Sequence, residues 1–418
     1  MLKRIFLTAM LFITAASIAQ QGTTSPYSFF GLGTLKFKGT AENRAMGGIS
    51  VYSDSIHLNI QNPAGVAGLR LVNYSVGGSH LYESLETNSE DTNASTTSLD
   101  YIAVGIPMGK FGGSFGLIPY TAVGYKLESQ NDNGSVQNDG SGGLNRAFIA
   151  LAYEVSSKLS VGLDVNYNFG NIENRSFTQQ DDLQFGTREV NASDIRGVSF
   201  NFGAAYKTMI SKSLELSTSL TYTPETEFDA DNTRVIGTIL VLPGGNETPI
   251  DIREIDVASS NFTFPSQLTL GAGIGAPKKW FAGAEFTSQK TSNFAEGFTA
   301  FNGVQIENVE FKDATKFRFG GFYIPNYNAI GNYWNRVVYR AGMRFEGTGI
   351  TVAGEDINEF GMSFGVGLPA GRLFSNVNVG FEFGSRGTRN LGLIQENFFN
   401  TFLSLSLNDK WFDKRYYD

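Results

Sequence analysis

The chain has 418 residues, with 49 Gly, 35 Phe, 17 Tyr, two His, no Cys and a formal net charge of −8. The missing Cys excludes a disulfide scaffold, thiolate metal sites and a lipidated Cys. The aromatic density argues against disorder, and the acidic balance argues against a nucleic-acid partner.

In chain order, residues 1–19 read as a secretory signal of bacterial type. Lys3 and Arg4 form a basic start, Ile5 to Thr14 an apolar stretch, and Ser17-Ile18-Ala19 a small-x-small cleavage site before Gln20. The apolar stretch is too short to anchor stably in a membrane. Removing Lys3 and Arg4 leaves 30 basic against 40 acidic residues, a net charge of −10.

Residues 20–70 do not alternate. Thr40 precedes Ala41-Glu42-Asn43-Arg44-Ala45-Met46, and Gly47-Gly48 follows, which predicts a short capped helix with a glycine stop. Asn62-Pro63-Ala64-Gly65 predicts a second helical turn, with Asn62 as cap and Pro63 at the first helical position. Tyr27, Phe29, Phe30, Leu32, Leu35 and Phe37 make this stretch too apolar for a free tail.

From residue 71 to residue 408 the order is period two. Leu159, Val161, Leu163, Val165, Tyr167 and Phe169 alternate with Ser160, Gly162, Asp164, Asn166, Asn168 and Gly170. About ten residues per segment is the length a tilted strand needs to cross a bilayer. Apolar outside with small and polar inside is the pattern of a membrane barrel, not of a soluble sandwich. We count about fourteen such segments, with tight connections such as Met108–Phe111 and Ser156–Lys158 alternating with long polar ones: 86–97, 129–142, 171–193, 225–261 and 289–312. Short turns face the periplasm in such barrels. An even strand count brings both termini to that side, so residues 409–418 read as a periplasmic tail. Trp280, Tyr327, Tyr333, Trp334 and Trp411 fall near the short-turn side, where an aromatic girdle is expected. The predicted fold class is all-β: a 14-stranded antiparallel transmembrane β-barrel whose lumen holds residues 20–70 as a hatch.

Arg44-Ala45-Met46-Gly47-Gly48 and Asn62-Pro63-Ala64-Gly65, with Tyr339–Phe345 and Leu407–Phe412, resemble the FadL-type outer-membrane transport family, nearest its Bacteroidota branch. The resemblance implies a hatch formed around Arg44, Met46, Gly47, Asn62, Pro63, Ala64 and Gly65. It implies uptake of hydrophobic small molecules such as long-chain fatty acids, captured at long extracellular loops and released sideways through a break in the third strand. Members resembling PorV serve instead as accessory subunits of secretion machinery. The implied location is the bacterial outer membrane. The implied partners are membrane lipids, a hydrophobic ligand and, in the second case, other outer-membrane proteins.

Against that template, Pro119 falls within the third strand, where a missing ladder donor marks either a lateral opening or a plain bulge. Val235–Leu242, including Ile236, Ile239, Leu240 and Leu242, is an apolar run in the fourth long connection. It is either a capture patch or an extension of two strands beyond the membrane. By phase Lys316, Arg318, Arg340 and Arg344 point into the lumen, to hold a ligand carboxylate or to pair with the inward Glu285, Glu346, Asp164 and Glu382. His57 and His80 have no nucleophile at a recognisable spacing, so no enzyme activity, metal or cofactor is expected.

Overall fold

The computed structural model describes residues 22–131, 134–181, 183–241, 247–294, 309–370 and 375–410. The predicted signal segment, Leu242 and Trp411 lie outside these residues.

Fourteen wall strands follow one another. They are β1 (Val72–Glu86), β2 (Asp91–Met108), β3 (Phe111–Pro119 continued by Thr121–Asn131), β4 (Gly134–Glu154), β5 (Leu159–Gln180), β6 (Phe185–Met209) and β7 (Glu215–Thr223 continued by Thr226–Val241). Then come β8 (Glu247–Asp256, Ser260–Phe264 and Gln267–Ala276), β9 (Trp280–Gln289), β10 (Val309–Phe311 and Ala314–Tyr323), β11 (Val338–Val352), β12 (Glu355–Pro369), β13 (Asn376–Gly387) and β14 (Gln395–Asp409). Each pairs antiparallel with the next, and β14 pairs with β1 from Val72↔Asp409 to Glu86↔Gln395, closing the barrel.

Alternation places the side chains as the sequence predicts. Val161, Leu163, Val165 and Tyr167 are exposed on the outer face, while Asp164, Asn166 and Asn168 are buried inside. The barrel is therefore apolar outside and polar inside, the reverse of a soluble domain.

The long connections need correction. Much of 86–97, 129–142, 171–193 and 225–261 is strand: Asn171–Thr178, for example, pairs residue by residue with Thr187–Asp194. Beyond the bilayer both faces meet water, so the apolar half of the pattern disappears while the ladder continues. The apolar run 235–241 belongs to this extension, since β7 there pairs with both β6 and the first part of β8. Trp280, Tyr333 and Trp334 lie at the short-turn end. Tyr327, however, turns toward the lumen-side cluster of Phe281, Phe322 and Ile324.

Residues 22–71 pack against the inner faces of the wall. Thr40 begins the α-helix Ala41–Arg44. The Asn43 side-chain carbonyl accepts from the Thr40 N–H at 3.3 Å and from its hydroxyl at 2.8 Å. Gly47 and Gly48 then take φ of +67° and +86°, the left-handed stop that only glycine enters freely. Asn62 caps the 3-10 turn Pro63–Gly68, its side chain accepting from the Ala64 N–H at 3.0 Å.

Candidate functional site: a broken wall around an occupied lumen

The break in β3 follows from Pro119. The lower part of β3 pairs with β2 from Met108↔Phe111 up to Ile102↔Leu117, and the pairing stops there. Above it, among the described residues, the Asp91–Leu99 ladder of β2 runs to β1, while the upper part of β3 pairs with β4. The β3–β4 register slips by one residue between Pro119↔Asn145 and Val123↔Gly142. Gly142 and Gly143 absorb the slip at φ of +110° and +142°. The wall thus has a gap between the upper halves of β2 and β3.

The N-terminal segment stitches the β3 side of that gap. Thr34 and Leu35 pair with Ala122 and Thr121, and the Lys36 N–H donates to the Tyr120 carbonyl at 2.9 Å. Tyr120, at the break itself, lies under the Arg146 guanidinium at 3.6 Å, a cation–π contact, and Arg146 Nε donates to Asn168 at 2.7 Å.

Two unlike surfaces face each other across the lumen. One is apolar: Leu144 of β4, Ile172 of β5, Ile195 of β6, Phe228 of β7 and Phe262 and Phe264 of β8 pack with Val123 and Tyr125 of β3 and with Leu32. The opposite surface is a continuous ion network. Glu346 meets Lys316 at 3.2 Å, Arg318 at 2.7 Å and Arg344 at 3.6 Å. Arg344 also contacts Glu359, and its Nε donates to Glu382 at 2.6 Å. Arg386 continues the chain from Glu359 at 2.6 Å to Glu396 at 3.0 Å, and Ser25 of the N-terminal segment donates to Glu396. A cavity of about 350 Å³ separates the surfaces, lined among others by Leu35, Arg146, Phe264, Arg318 and Arg344.

Polar contacts anchor residues 22–71 to the wall all round. Arg44 pairs with Asp100 at 2.9 Å and Lys38 with Asp164 at 3.3 Å. The Ser50 hydroxyl and N–H donate to Glu285 at 2.9 and 2.7 Å, and Asn378 donates to Glu42 at 2.8 Å. The Gly47 N–H donates to Ser363 at 2.9 Å, and Asn62 donates to the Ala204 carbonyl at 3.1 Å.

Of the residues singled out in the sequence, Arg44, Met46, Gly47, Asn62, Pro63, Ala64 and Gly65 are all buried in this packed segment. Lys316, Arg318 and Arg344 come together on Glu346, whereas Arg340 stands apart and donates to Asn378 at 3.1 Å. Ile239 is buried within the extended β7, and Ile236 and Leu240 are half-buried there. The sequence reading passed over Tyr120, Arg146, Arg386 and Glu396. The phase of β4, β13 and β14 could have placed the last three inside.

A closed fourteen-stranded transmembrane barrel with an internal segment and a gapped third strand defines a protein of the outer-membrane β-barrel class. The family model BamG matches residues 1–418, and the chain belongs to the BamG family. No curated protein matches it in sequence. Among solved structures it is similar to the CymD monoaromatic hydrocarbon channel (TM-score 0.61, 13% identity, covering 90% of this chain and 99% of that one). It is also similar to the Pseudomonas putida toluene transporter TodX (0.55, 15%, 89% and 98%) and to a Pseudomonas aeruginosa FadL homologue (0.55, 11%, 90% and 98%). At these identities the likeness is one of fold.

Proposed function

We propose that this chain is an outer-membrane channel for hydrophobic small molecules, long-chain fatty acids among them, that takes ligand at the long-strand end and releases it sideways at the β3 break. Residues 1–19 would deliver it to the periplasm for insertion, and residues 20–70 would serve as its hatch. The observation that carries this reading is the coincidence of gap, apolar surface and cavity at one level of the lumen, with Thr34–Lys36 holding the gap's β3 side. The structural neighbours, a monoaromatic hydrocarbon channel and a toluene transporter, support the same ligand class.

A staple tests it. The chain has no Cys, and Thr34 lies directly opposite Ala122, within the separation that a disulfide spans. With Thr34→Cys and Ala122→Cys together, uptake of a labelled long-chain fatty acid or toluene is expected to fall at least tenfold when oxidised and to recover on reduction. Full uptake in the oxidised form defeats lateral release. Equal uptake by vesicles with and without the protein defeats transport.

A second reading, a non-transporting subunit of an outer-membrane secretion or assembly complex related to PorV-like barrels, draws support from the tall sheet beyond the membrane. Among the described residues its outer strand Glu247–Asp256 pairs with β7 alone, and it carries exposed Ile250 and Ile252. Purification in mild detergent separates the two readings: a transporter comes out alone, a subunit with stoichiometric partners.

A further inference from the structure

The lumen cavity is apolar on one flank and charged on another, and between them lies a stretch of wall that is neither. Register sets it in two rows across β7, β8 and β9. The upper row is Thr223, Gln267 and Gln289; the lower row is Thr221, Thr269 and Thr287. Their strand neighbours Leu268, Leu270 and Phe286 are exposed on the outer face, so period two turns both rows inward. Phe264 of the apolar cluster precedes Gln267 on β8 and lines the same cavity. Lys316 of the ion network stands directly opposite Thr287.

The hydroxyls in these rows have partners. Thr269 and Thr287 lie 2.9 Å apart, oxygen to oxygen, and the Thr223 hydroxyl donates to Asn201 at 3.2 Å. Gln289 differs. It lines the cavity and is only 9% exposed, yet its Oε1 has no hydrogen-bond partner among the described residues. Buried acceptors of this kind are nearly always satisfied, by protein, by water or by a ligand.

The charge beside Gln289 is already matched. Lys316, Arg318, Arg344 and Arg386 share Glu346, Glu359, Glu382 and Glu396, four cations on four carboxylates. A free carboxylate at Gln289 sets acceptor against acceptor. With the amide turned over it meets an N–H, but the adjacent cation, Lys316, is held on Glu346 at 3.2 Å. A hydroxyl suits the site in full, because it donates to Oε1 and accepts from a neighbouring amide or hydroxyl.

We propose that Gln289 and the rows beside it are a head-group site, and that its ligand is a neutral, hydroxyl-bearing amphiphile of the monoacylglycerol class, taken in preference to the free fatty acid. A head-group hydroxyl would donate to Gln289 Oε1, and the acyl tail would lie along Phe264 toward the apolar cluster. This deepens the channel reading, on which it rests for the ligand's path, and it names the chemistry of the head.

Binding measured apart from transport tests it. The full chain, exchanged from detergent into an amphipol at mildly alkaline pH, is offered radiolabelled 1-monooleoylglycerol or oleate at equal concentration. Label retained through gel filtration is counted. Monooleoylglycerol is expected to be retained at least tenfold better than oleate. Gln289→Met keeps the side-chain length and removes the amide; it is expected to cut monooleoylglycerol at least tenfold and to leave oleate unchanged. Asn400 of β14 also lines the cavity with an Oδ1 that lacks a partner, and Asn400→Leu is expected to leave both lipids unchanged. Heat-modifiable gel mobility verifies that each variant is folded. Oleate retained as well as monooleoylglycerol, neither lipid retained, or a loss that follows Asn400→Leu instead of Gln289→Met overturns the proposal. Selective, Gln289-dependent retention without uptake into vesicles upholds this site and defeats transport alone.

Discussion

Replacing Arg344 with Met is expected to lower the stability of the barrel by about 3–5 kcal/mol, the usual cost of stripping the partner from buried charge. One guanidinium serves three carboxylates, Glu346, Glu359 and Glu382, all nearly closed off from solvent. Glu346 keeps Lys316 and Arg318, and Glu359 keeps Arg386. Glu382 is left with a buried negative charge opposite a thioether. Arg344→Lys keeps the charge but not the planar fork, so an intermediate loss is expected. Adding Glu382→Gln to Arg344→Met should return part of the stability, because it removes the stranded charge. Lys316→Met should cost less, since Arg318 and Arg344 remain on Glu346. Urea titration followed by heat-modifiable mobility reads all four. A loss below about 1 kcal/mol for Arg344→Met would mean that lumen water solvates these carboxylates as a protein surface does.

The network illustrates what was legible in the sequence and what was not. Inward placement of Lys316, Arg318, Arg344 and Glu346 follows from period-two phase alone. Their partners do not, because Arg344 reaches Glu382 across two strand registers that no local pattern encodes. Arg386 and Glu396 have the right phase, yet nothing short of the β13–β14 pairing brings them together. The helix at Ala41 and the turn at Pro63 were readable because caps are local chemistry. The strand extensions of β5 and β6 were not, because polar residues on both faces look like loop once lipid no longer demands alternation. The bridge from Thr34–Leu35 to β3 was hidden for a further reason. Two residues carry no period, and the bond exists only because Pro119 leaves the upper part of β3 without its neighbour.

Gly320→Leu combined with Gly342→Leu is expected to expel the N-terminal segment from its seat and open a water-filled path. These glycines lie directly opposite each other on β10 and β11. A Cβ at Gly320 would stand 2.0 Å from the Met46 carbonyl oxygen, and one at Gly342 would stand 2.1 Å from the Gly47 nitrogen. Both obstacles are backbone, so no rotamer relieves them. The wall is held by ladders on either side, whereas the turn Met46–Gly48 is held by single bonds such as the one from Gly47 to Ser363. The turn therefore yields, at about 1–3 kcal/mol per overpacked position. A fourteen-stranded barrel is too wide for wall side chains to fill. Displacement should consequently raise ion conductance in planar bilayers and expose Arg44 to trypsin, while the strand ladder and the gel mobility of the folded barrel persist. Ala341→Leu, one residue away but on the lipid face, is expected to change neither readout. Unchanged conductance in the double variant, with the fold intact, would show that the seat widens to take the leucines, and would place the closure of the lumen in the ion network and apolar cluster rather than in the helix and its glycine stop.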